Sequence, residues 1–301
     1  MTRHAAAPTY VAIETGGTKI VCRVIDEAGL TLGEFIVPTG QPLTAMAALE
    51  QGVRDILDDG QAVCGVGVAS FGPVDLDPAS DTYGFILETP KPGWSGFDLV
   101  GDLSRRFQAP VAIDTDVNAA ALAEQQVRRE QDGIAARSLA YVTVGTGIGA
   151  GLAMQGQTLS GALHPEVGHI TLRRAAGDHQ PSSCPFHPDC AEGLAAGPAL
   201  GARLAGRAMA QAPEVADLMA DYLGQVCATL VLVWSPHRIV LGGGVMKTPG
   251  LLTRIADQMR IHLAGYGAAR VAMGEDYLAL PRLEHSGLEG AALLARRPPP
   301  A

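Results

Sequence analysis

The stretch from Tyr10 to Ile25, YVAIETGGTKIVCRVI, holds a strand, a glycine turn and a second strand in one short run. Tyr10 to Ile13 reads as the first strand, Glu14-Thr15-Gly16-Gly17-Thr18-Lys19 as the turn, and Ile20 to Ile25 as the return. A Rossmann or P-loop glycine motif would feed into a helix. Here Ile20-Val21-Cys22-Arg23-Val24 favours a strand, so the turn is predicted to be a β-hairpin. Its backbone amides and the Thr18 hydroxyl suit phosphate oxygens, with Lys19 as a point charge. An ordinary hairpin would read the same way if it stood alone. The grammar recurs half a chain later. Leu139 to Val144 is a strand, Gly145-Thr146-Gly147-Ile148-Gly149 a turn with Thr143 and Thr146 interleaved, and Ala150 onward is extended again. Two related domains are expected.

Between the repeats lie a buried strand at Gly65 to Ser70, a Pro-rich loop from Pro73 to Trp94, and a helix at Leu99 to Phe107. A strand at Val111 to Asp114 follows, and a helix begins near Asn118. Past the second turn, the loop Ser160 to Gly197 is rich in His, Cys, Pro and Gly. Helices are predicted over Pro198 to Met209, Val215 to Val233 and Leu251 to Leu263, with a strand at Arg238 to Leu241. A last helix, Gly287 to Ala295, leads into Arg296-Arg297 and Pro298 to Pro300, read as a frayed tail. Alternating strands and helices define an α/β class with mixed sheets.

The chain has 301 residues and a net charge of −9, with no basic stripe, which argues against a nucleic-acid surface. No apolar run is expected to approach the roughly 20 residues of a membrane helix, and Met1 to Tyr10 lacks a signal-peptide core. A cytoplasmic protein is expected. Five cysteines, an odd number, do not suggest a disulfide framework. Cys22, Cys64 and Cys227 sit among apolar neighbours and read as core.

Cys184-Pro-Phe-His187-Pro-Asp-Cys190 differs: three zinc-type ligands at spacing three and three on a Pro-rich turn. His169 is the first choice for a fourth ligand, with His164 and His179 as alternatives. A closed four-ligand site is structural. Asp114-Thr115-Asp116 ends a strand, and if that strand reaches Asp116 both carboxylates share a face. A carboxylate there suits a general base acting on a hydroxyl, or else an N-cap. Asn118 would orient a polyol or cap the helix. Glu166 and Glu192, around the metal loop, can accept from hydroxyls. Gly242-Gly243-Gly244 after Ile239-Val240-Leu241 lets a flat ring approach backbone.

Taken in order from Tyr10 to Ala295, these motifs resemble the ROK family of sugar kinases within the actin-like ATPase superfamily. The quoted runs include Asp114-Thr115-Asp116-Val117-Asn118, Glu166-Val167-Gly168-His169, Cys184-x-x-His187-x-x-Cys190-Ala191-Glu192-Gly193 and Gly242-Gly243-Gly244-Val245-Met246. The resemblance implies two actin-like (ribonuclease H-like) domains with mixed sheets around an interdomain cleft. Residues 1–122 would form one, with a C-terminal helix at about 286–298 packing back on it. Residues 123–285 would form the other, carrying the zinc-stapled loop 160–197. It further implies Asp116 as the base. Gly16, Gly17, Thr18, Lys19, Thr146 and Gly147 would hold the phosphates of ATP with Mg²⁺, and Pro198 with Gly242 to Met246 would line the nucleotide site. Gly72, Asn118, Glu166, His169 and Glu192 would contact the sugar. His169 would also join Cys184, His187 and Cys190 on a structural zinc. A homodimer is expected.

Ser70-Phe71-Gly72-Pro73, Thr82-Tyr83-Gly84 and Lys91-Pro92-Gly93-Trp94 look like the fructokinase branch, pointing to D-fructose, with glucose or mannose as the alternative hexose. Glu14 replaces the Asp of many members, and Thr15 a small residue. A sugar-responsive repressor would need a helix-turn-helix before Tyr10, where nine residues precede it. A catalytically silent sugar sensor is the other alternative.

Overall fold

Gly16 and Gly17 turn the chain back on itself, so that β1 (Thr9–Thr15) and β2 (Lys19–Asp26) pair antiparallel with Thr15 opposite Ile20. This is seen in a computed structural model that describes residues 8–58, 61–132, 137–274 and 276–297. β3 (Thr31–Pro38) adds antiparallel to β2, and α1 (Pro42–Ile56) follows. β4 (Val63–Ser70) lies parallel to the other side of β1. After α2 (Leu99–Phe107), β5 (Val111–Thr115) pairs parallel to β4. The resulting order is β3-β2-β1-β4-β5.

The second half repeats this plan. After α3 (Asp116–Asp132), β6 (Ser138–Val144) and β7 (Ile148–Met154) form the glycine hairpin, and β8 (Gln157–Thr158) extends it. α4 (Ala191–Ala195), α5 (Gly197–Leu204) and α6 (Pro213–Trp234) lead to β9 (Arg238–Gly242), parallel to β6. α7 (Leu251–Leu263) precedes β10 (Leu278–Ala279), parallel to β9. The order β10-β9-β6-β7-β8 matches the first sheet strand for strand, read from the opposite edge. α8 (Ser286–Leu294) closes the chain.

Two compact units result. The first holds residues up to Ala123, Leu159–His164 and the segment from His285 onward; the second holds Glu124–Thr158 and Pro165–Glu284. Leu159–His164 therefore groups apart from the rest of the loop 160–197. Each unit has its own apolar core, around Ile13, Val68 and Trp94 in the first and around Val142, Leu223 and Leu241 in the second.

In the first unit α8 lies so close to the sheet that glycine is required beneath it. A Cβ on Gly67 would stand 1.9 Å from the Ala291 carbonyl oxygen, and one on Gly65 2.3 Å from that of Ala295. Trp94 is fully buried, edge-on to Phe71 and Phe97, and its Nε1 donates to the Gly40 carbonyl at 2.9 Å. That pins the end of the Pro-rich loop.

Several sequence expectations shift. β3 and α1 fall in a stretch to which the sequence reading assigns no element; β3 is an edge strand whose burial alternates but whose exposed face carries Leu32 and Ile36, so the sequence itself shows no apolar–polar alternation. The helix beginning at Pro198 ends at Leu204, not Met209, because Ala205 and Gly206 both adopt positive φ. The strand at Val111 stops at Thr115, so Asp114 and Asp116 do not share a strand face. α6 is long and apolar enough to cross a membrane by length and composition, contrary to the expectation from sequence. It is the core helix of the second unit, with 67% of its apolar window buried. Arg296 and Arg297 are ordered, with Arg297 half-buried, while Pro298 to Pro300 lie outside the described residues.

A buried ion pair braces the second unit where the chain enters and leaves it. Glu124 is fully buried, pairs with Arg128, and accepts from the backbone amides of Arg282 and Leu283 at 3.0 Å each. Removing one member of such a pair strands the other charge. Glu124→Ala should therefore cost about 3–5 kcal/mol, measured by denaturant unfolding. A loss below about 1 kcal/mol, the scale of an exposed pair, would show that the brace is unimportant.

Candidate functional site

In the first unit, the candidate side chains gather at the ends of β1, β4 and β5. The turn Gly16–Lys19 is tight: Gly16 N donates to the Lys19 carbonyl at 2.9 Å, and Thr39 Oγ1 donates to the Gly16 carbonyl at 2.8 Å. Gly17, Thr18 and Lys19 are exposed, and nothing lies within 4 Å of a Cβ placed on Gly17. It is a hairpin tip with amides open to an anion, not a helix entry. Thr15, the departure from a small residue, is buried and ties the ends of β1 and β4. Its Oγ1 accepts from Phe71 N at 3.1 Å and lies 3.3 Å from Ser70 Oγ.

Glu14 turns toward α8. A Cβ on Gly287, in the first turn of that helix, would stand 2.5 Å from Oε1, and the Leu288 amide acts to lower the carboxyl's pKa. Burial pushes its pKa above the ordinary carboxylate value, opposed by the charges of His285, Lys19 and Arg23.

At the β5–α3 corner, Thr115 is the helix cap, its Oγ1 accepting from Asn118 N at 3.1 Å. Asp116 is the first helical residue, half-buried, with Oδ1 accepting from Val117 N at 2.8 Å. The capping role considered for Asp116 thus falls to Thr115. Asp114 is buried and accepts from Thr115 N at 2.7 Å and Asn118 Nδ2 at 2.8 Å. Asn118 is fully buried, its Nδ2 shared with the Leu159 carbonyl at 3.2 Å. Gly72, half-buried, follows Phe71. Sequence reasoning missed Lys91, whose ammonium sits 3.9 Å from the Phe71 ring centroid. Its signal was faint: one lysine in a Pro-Lys-Pro-Gly-Trp turn.

In the second unit, Gly145, Thr146, Gly197, Pro198, Gly244 and Val245 line an open hollow of about 540 Å³. Of the predicted nucleotide residues, Thr146, Pro198, Gly244 and Val245 meet there. Gly147, Gly242, Gly243 and Met246 are not among the residues that line it. Gly243 has φ +89 with a hypothetical Cβ 2.4 Å from the Val144 carbonyl oxygen, so the backbone itself must pass that close. Gly197 N donates to the Gly145 carbonyl at 2.7 Å, which sets the first turn of α5 against the glycine hairpin. A helix N-terminus beside open amides favours phosphate.

Glu192 lies under the same hairpin, its Oε2 accepting from Ile148 N at 3.1 Å. Glu166 is exposed, and its carbonyl accepts from His169 N at 3.0 Å in the tight turn Val167–His169. Gly168 lets that turn press on β7: a Cβ there would be 1.9 Å from the Ile148 carbonyl oxygen.

His169, Cys184, His187 and Cys190 bring one ligand atom each to within 4.8 Å of one another. Cys184 Sγ is 3.8 Å from His169 Nδ1 and 3.7 Å from His187 Nδ1. A tetrahedron with zinc-type N and S bond lengths has edges of about 3.5–3.8 Å, so both the donor set and the spacing fit zinc. Cys190 Sγ also accepts from Gly193 N at 3.3 Å at the start of α4, a contact suited to a thiolate. Arg174 fastens the loop from outside, donating to Asp189 Oδ1 and to the Pro188 and Gln180 carbonyls at 2.8 Å each. His164 is elsewhere, buried in the first unit with Nε2 accepting from Val74 N at 3.1 Å. His179 is not in the cluster either.

Two mixed sheets of the same strand order, each with a glycine hairpin between its first two strands, define the actin-like ATPase fold. The chain belongs to the ROK family, whose model matches residues 10–298. It is 38% identical over 288 residues to the fructokinase of Pediococcus pentosaceus, spanning 95% of this chain and 96% of that protein. It is 38% identical over 283 residues to that of Streptococcus mutans, spanning 92% and 93%. Among solved structures, the ROK hexokinase from Thermus thermophilus superposes with a TM-score of 0.73 at 29% identity, covering 95% of this chain and 97% of that one. The ROK glucokinase from Streptomyces griseus, bound to glucose and AMPPNP, gives 0.70 at 25% identity, covering 96% and 99%.

The raised pKa of Glu14 has a sign that can be tested. The folded chain holds this proton more tightly than the unfolded one. Its stabilising contribution is complete below the unfolded carboxylate value and is lost as pH rises through the folded value. Glu14→Gln does not titrate, so its stability relative to the parent should climb between about pH 4 and pH 8. Urea unfolding across that range reads the difference; a flat or falling difference would refute the burial argument.

Proposed function

We propose that this chain is an ATP-dependent hexose kinase that phosphorylates D-fructose at the 6-hydroxyl, with Asp116 as general base. The observation that carries the reading is the near full-length similarity to fructokinases, at 38% identity, in a chain that retains Asp116 at the head of α3. Because Thr115 caps the helix, the Asp116 carboxylate is not consumed by the role that would otherwise explain it. A carboxylate accepting the hydroxyl proton directs an in-line attack, and the remaining catalysis is positioning and charge stabilisation.

The amides of Gly16, Gly17 and Thr18, the Lys19 ammonium, and Thr146 and Gly147 bind the phosphates; Mg²⁺ neutralises the charge that builds on them. Pro198 and Gly242 to Met246 receive the nucleoside, with Gly244 and Val245 in the wall of the hollow. Gly72, Glu166, His169 and Glu192 bind the sugar. Glu192 has a second oxygen for this, since Ile148 N engages Oε2 alone. Asn118 acts one step back: its amide nitrogen is committed to Asp114 and the Leu159 carbonyl, so it holds the corner that aims Asp116. Zinc on His169 Nδ1, Cys184, His187 and Cys190 fastens the loop and leaves His169 Nε2 for a sugar hydroxyl. The protein is cytoplasmic and dimeric in this reading.

Glucose or mannose is the second reading, favoured by the 27% identity to the glucokinase of Halalkalibacterium halodurans over 96% of this chain. Coupled ADP release with a sugar panel decides between them; turnover on glucose exceeding that on fructose would reject the fructose assignment. Asp116→Asn should lower turnover by about 10²–10⁴-fold while leaving nucleotide affinity intact. Retention of more than a tenth of the rate would remove Asp116 as the base. Metal analysis should find one zinc per chain, and its removal by chelation should weaken fructose binding before ATP binding. Unaltered fructose affinity in metal-free protein would exclude the proposed role of the loop.

A further inference from the structure

Lys91 is one of three lysines in the chain, and its surroundings are unusual for a charged side chain. The residue is half-buried, and its backbone is fixed in a turn: its carbonyl accepts from Trp94 N at 3.2 Å, and Trp94 is itself fully buried and bonded to the Gly40 carbonyl. Its ammonium lies over the face of Phe71, whose ring meets Trp94 edge-on with centroids 5.3 Å apart. Phe71 is held in turn by Thr15 Oγ1 through its amide. So the ammonium rests on a rigid aromatic shelf, immediately before Gly72 in the chain.

Loss of solvent lowers its pKa below the ordinary lysine value, and the charge of Asp116 acts in the opposite sense. Yet among the described residues no hydrogen bond or ion pair engages the ammonium; its partner is the Phe71 ring. Three N–H donors are thus held at a half-buried position with no protein acceptor among the described residues, within the field of the carboxylate proposed as base. A cation–π contact is worth about 0.5–2 kcal/mol and leaves all three donors unspent. Such a group calls for an oxygen-rich ligand, and a polyol beside Asp116 supplies one.

We propose that Lys91 is a substrate-binding residue of the acceptor site, its ammonium donating hydrogen bonds to the sugar oxygens next to the hydroxyl that Asp116 deprotonates. This rests on the sugar-kinase reading. Lys91 fixes the acceptor's orientation, and the Phe71–Trp94 stack fixes Lys91. Arginine is a poor substitute, since its planar fork does not reproduce a compact donor seated on a ring.

Lys91→Met keeps the chain length over Phe71 and removes the charge. Loss of a hydrogen bond from a charged donor should raise the fructose KM, and the directly measured fructose Kd, by about 10- to 100-fold. Nucleotide affinity and Tm should stay at parental values, and Lys91→Arg should recover part of the loss. In parent protein, saturating fructose should slow reductive methylation of Lys91, with Lys19 and Lys247 as internal references by mass spectrometry. Fructose KM within about twofold of the parent, or an affinity loss matched by a fall in Tm, would overturn the proposal; so would labelling of Lys91 that fructose does not slow. If the parent prefers another hexose, the fructose assignment fails by itself, and the same variants measured on that hexose still decide the role of Lys91.

Discussion

Asp114 is a carboxylate with almost no water to solvate it, and the corner between β5 and α3 is built around it. Its Oδ1 takes the amide of Thr115 and the side-chain amide of Asn118, so the strand end and the first helical turn are tied through one atom. A buried charge needs such donors or a counter-ion. Here the cation comes from the chain's far end: Arg297, whose pKa burial lowers and Asp114 raises, stands near it just beyond α8. The residue that opens α3 is Asp116, so its backbone direction is set by this arrangement, and its own Oδ1 accepts from Val117 N.

The same unit shows why glycine is distributed as it is. α8 lies close enough that Arg297 is in the field of Asp114 and Gly287 stands against the Glu14 carboxylate. Gly65 and Gly67 on β4, Gly287 and Gly290 on α8, remove the side chains that would hold it off; a Cβ on Gly290 would stand 2.1 Å from the Ala119 carbonyl oxygen. Close approach brings polar groups together at short range, which then need mutual satisfaction. The Glu14 carboxylate set against the start of α8 is one case. The longer side chain that replaces aspartate spans from β1 to that helix terminus, so the substitution has a structural account in the fold itself.

The repeated strand–glycine–strand grammar was legible because it is local, and the two sheets carry it at equivalent positions. α2 and α7 were readable to the residue from helical periodicity. Misreadings have local causes too. β3 is an edge strand that shows little burial, and α5 stops at Ala205 and Gly206, a glycine stop signal passed over because apolar spacing continues to Met209. The metal loop was readable from spacing, yet the choice of His169 over His164 needed the fold: Val74 engages one imidazole, and the tight turn against β7 presents the other. Lys91 appears in the sequence only as part of the run Lys91-Pro92-Gly93-Trp94, with no role of its own. Its setting lies in the lack of a protein acceptor among the described residues and in an aromatic shelf assembled from Phe71 and Trp94.

Because the two sheets share one topology, their glycine hairpins are the same element used twice, and the differences between them are informative. The first is bare: its tip is exposed, and its charge comes from Lys19. The second is backed by a carboxylate and a helix: Glu192 holds the Ile148 amide from behind, and Gly197 locks α5 to the Gly145 carbonyl. A Cβ on Gly147 would meet Glu192 Oε2 at 2.4 Å, so the hairpin and the metal loop cannot separate without breaking that contact. The loop that carries His169 and Cys190 is thus coupled mechanically to the turn that borders the hollow at Gly145 and Thr146. Of two equivalent hairpins, one keeps an exposed tip and the other is a joint between that hollow and the Cys/His cluster.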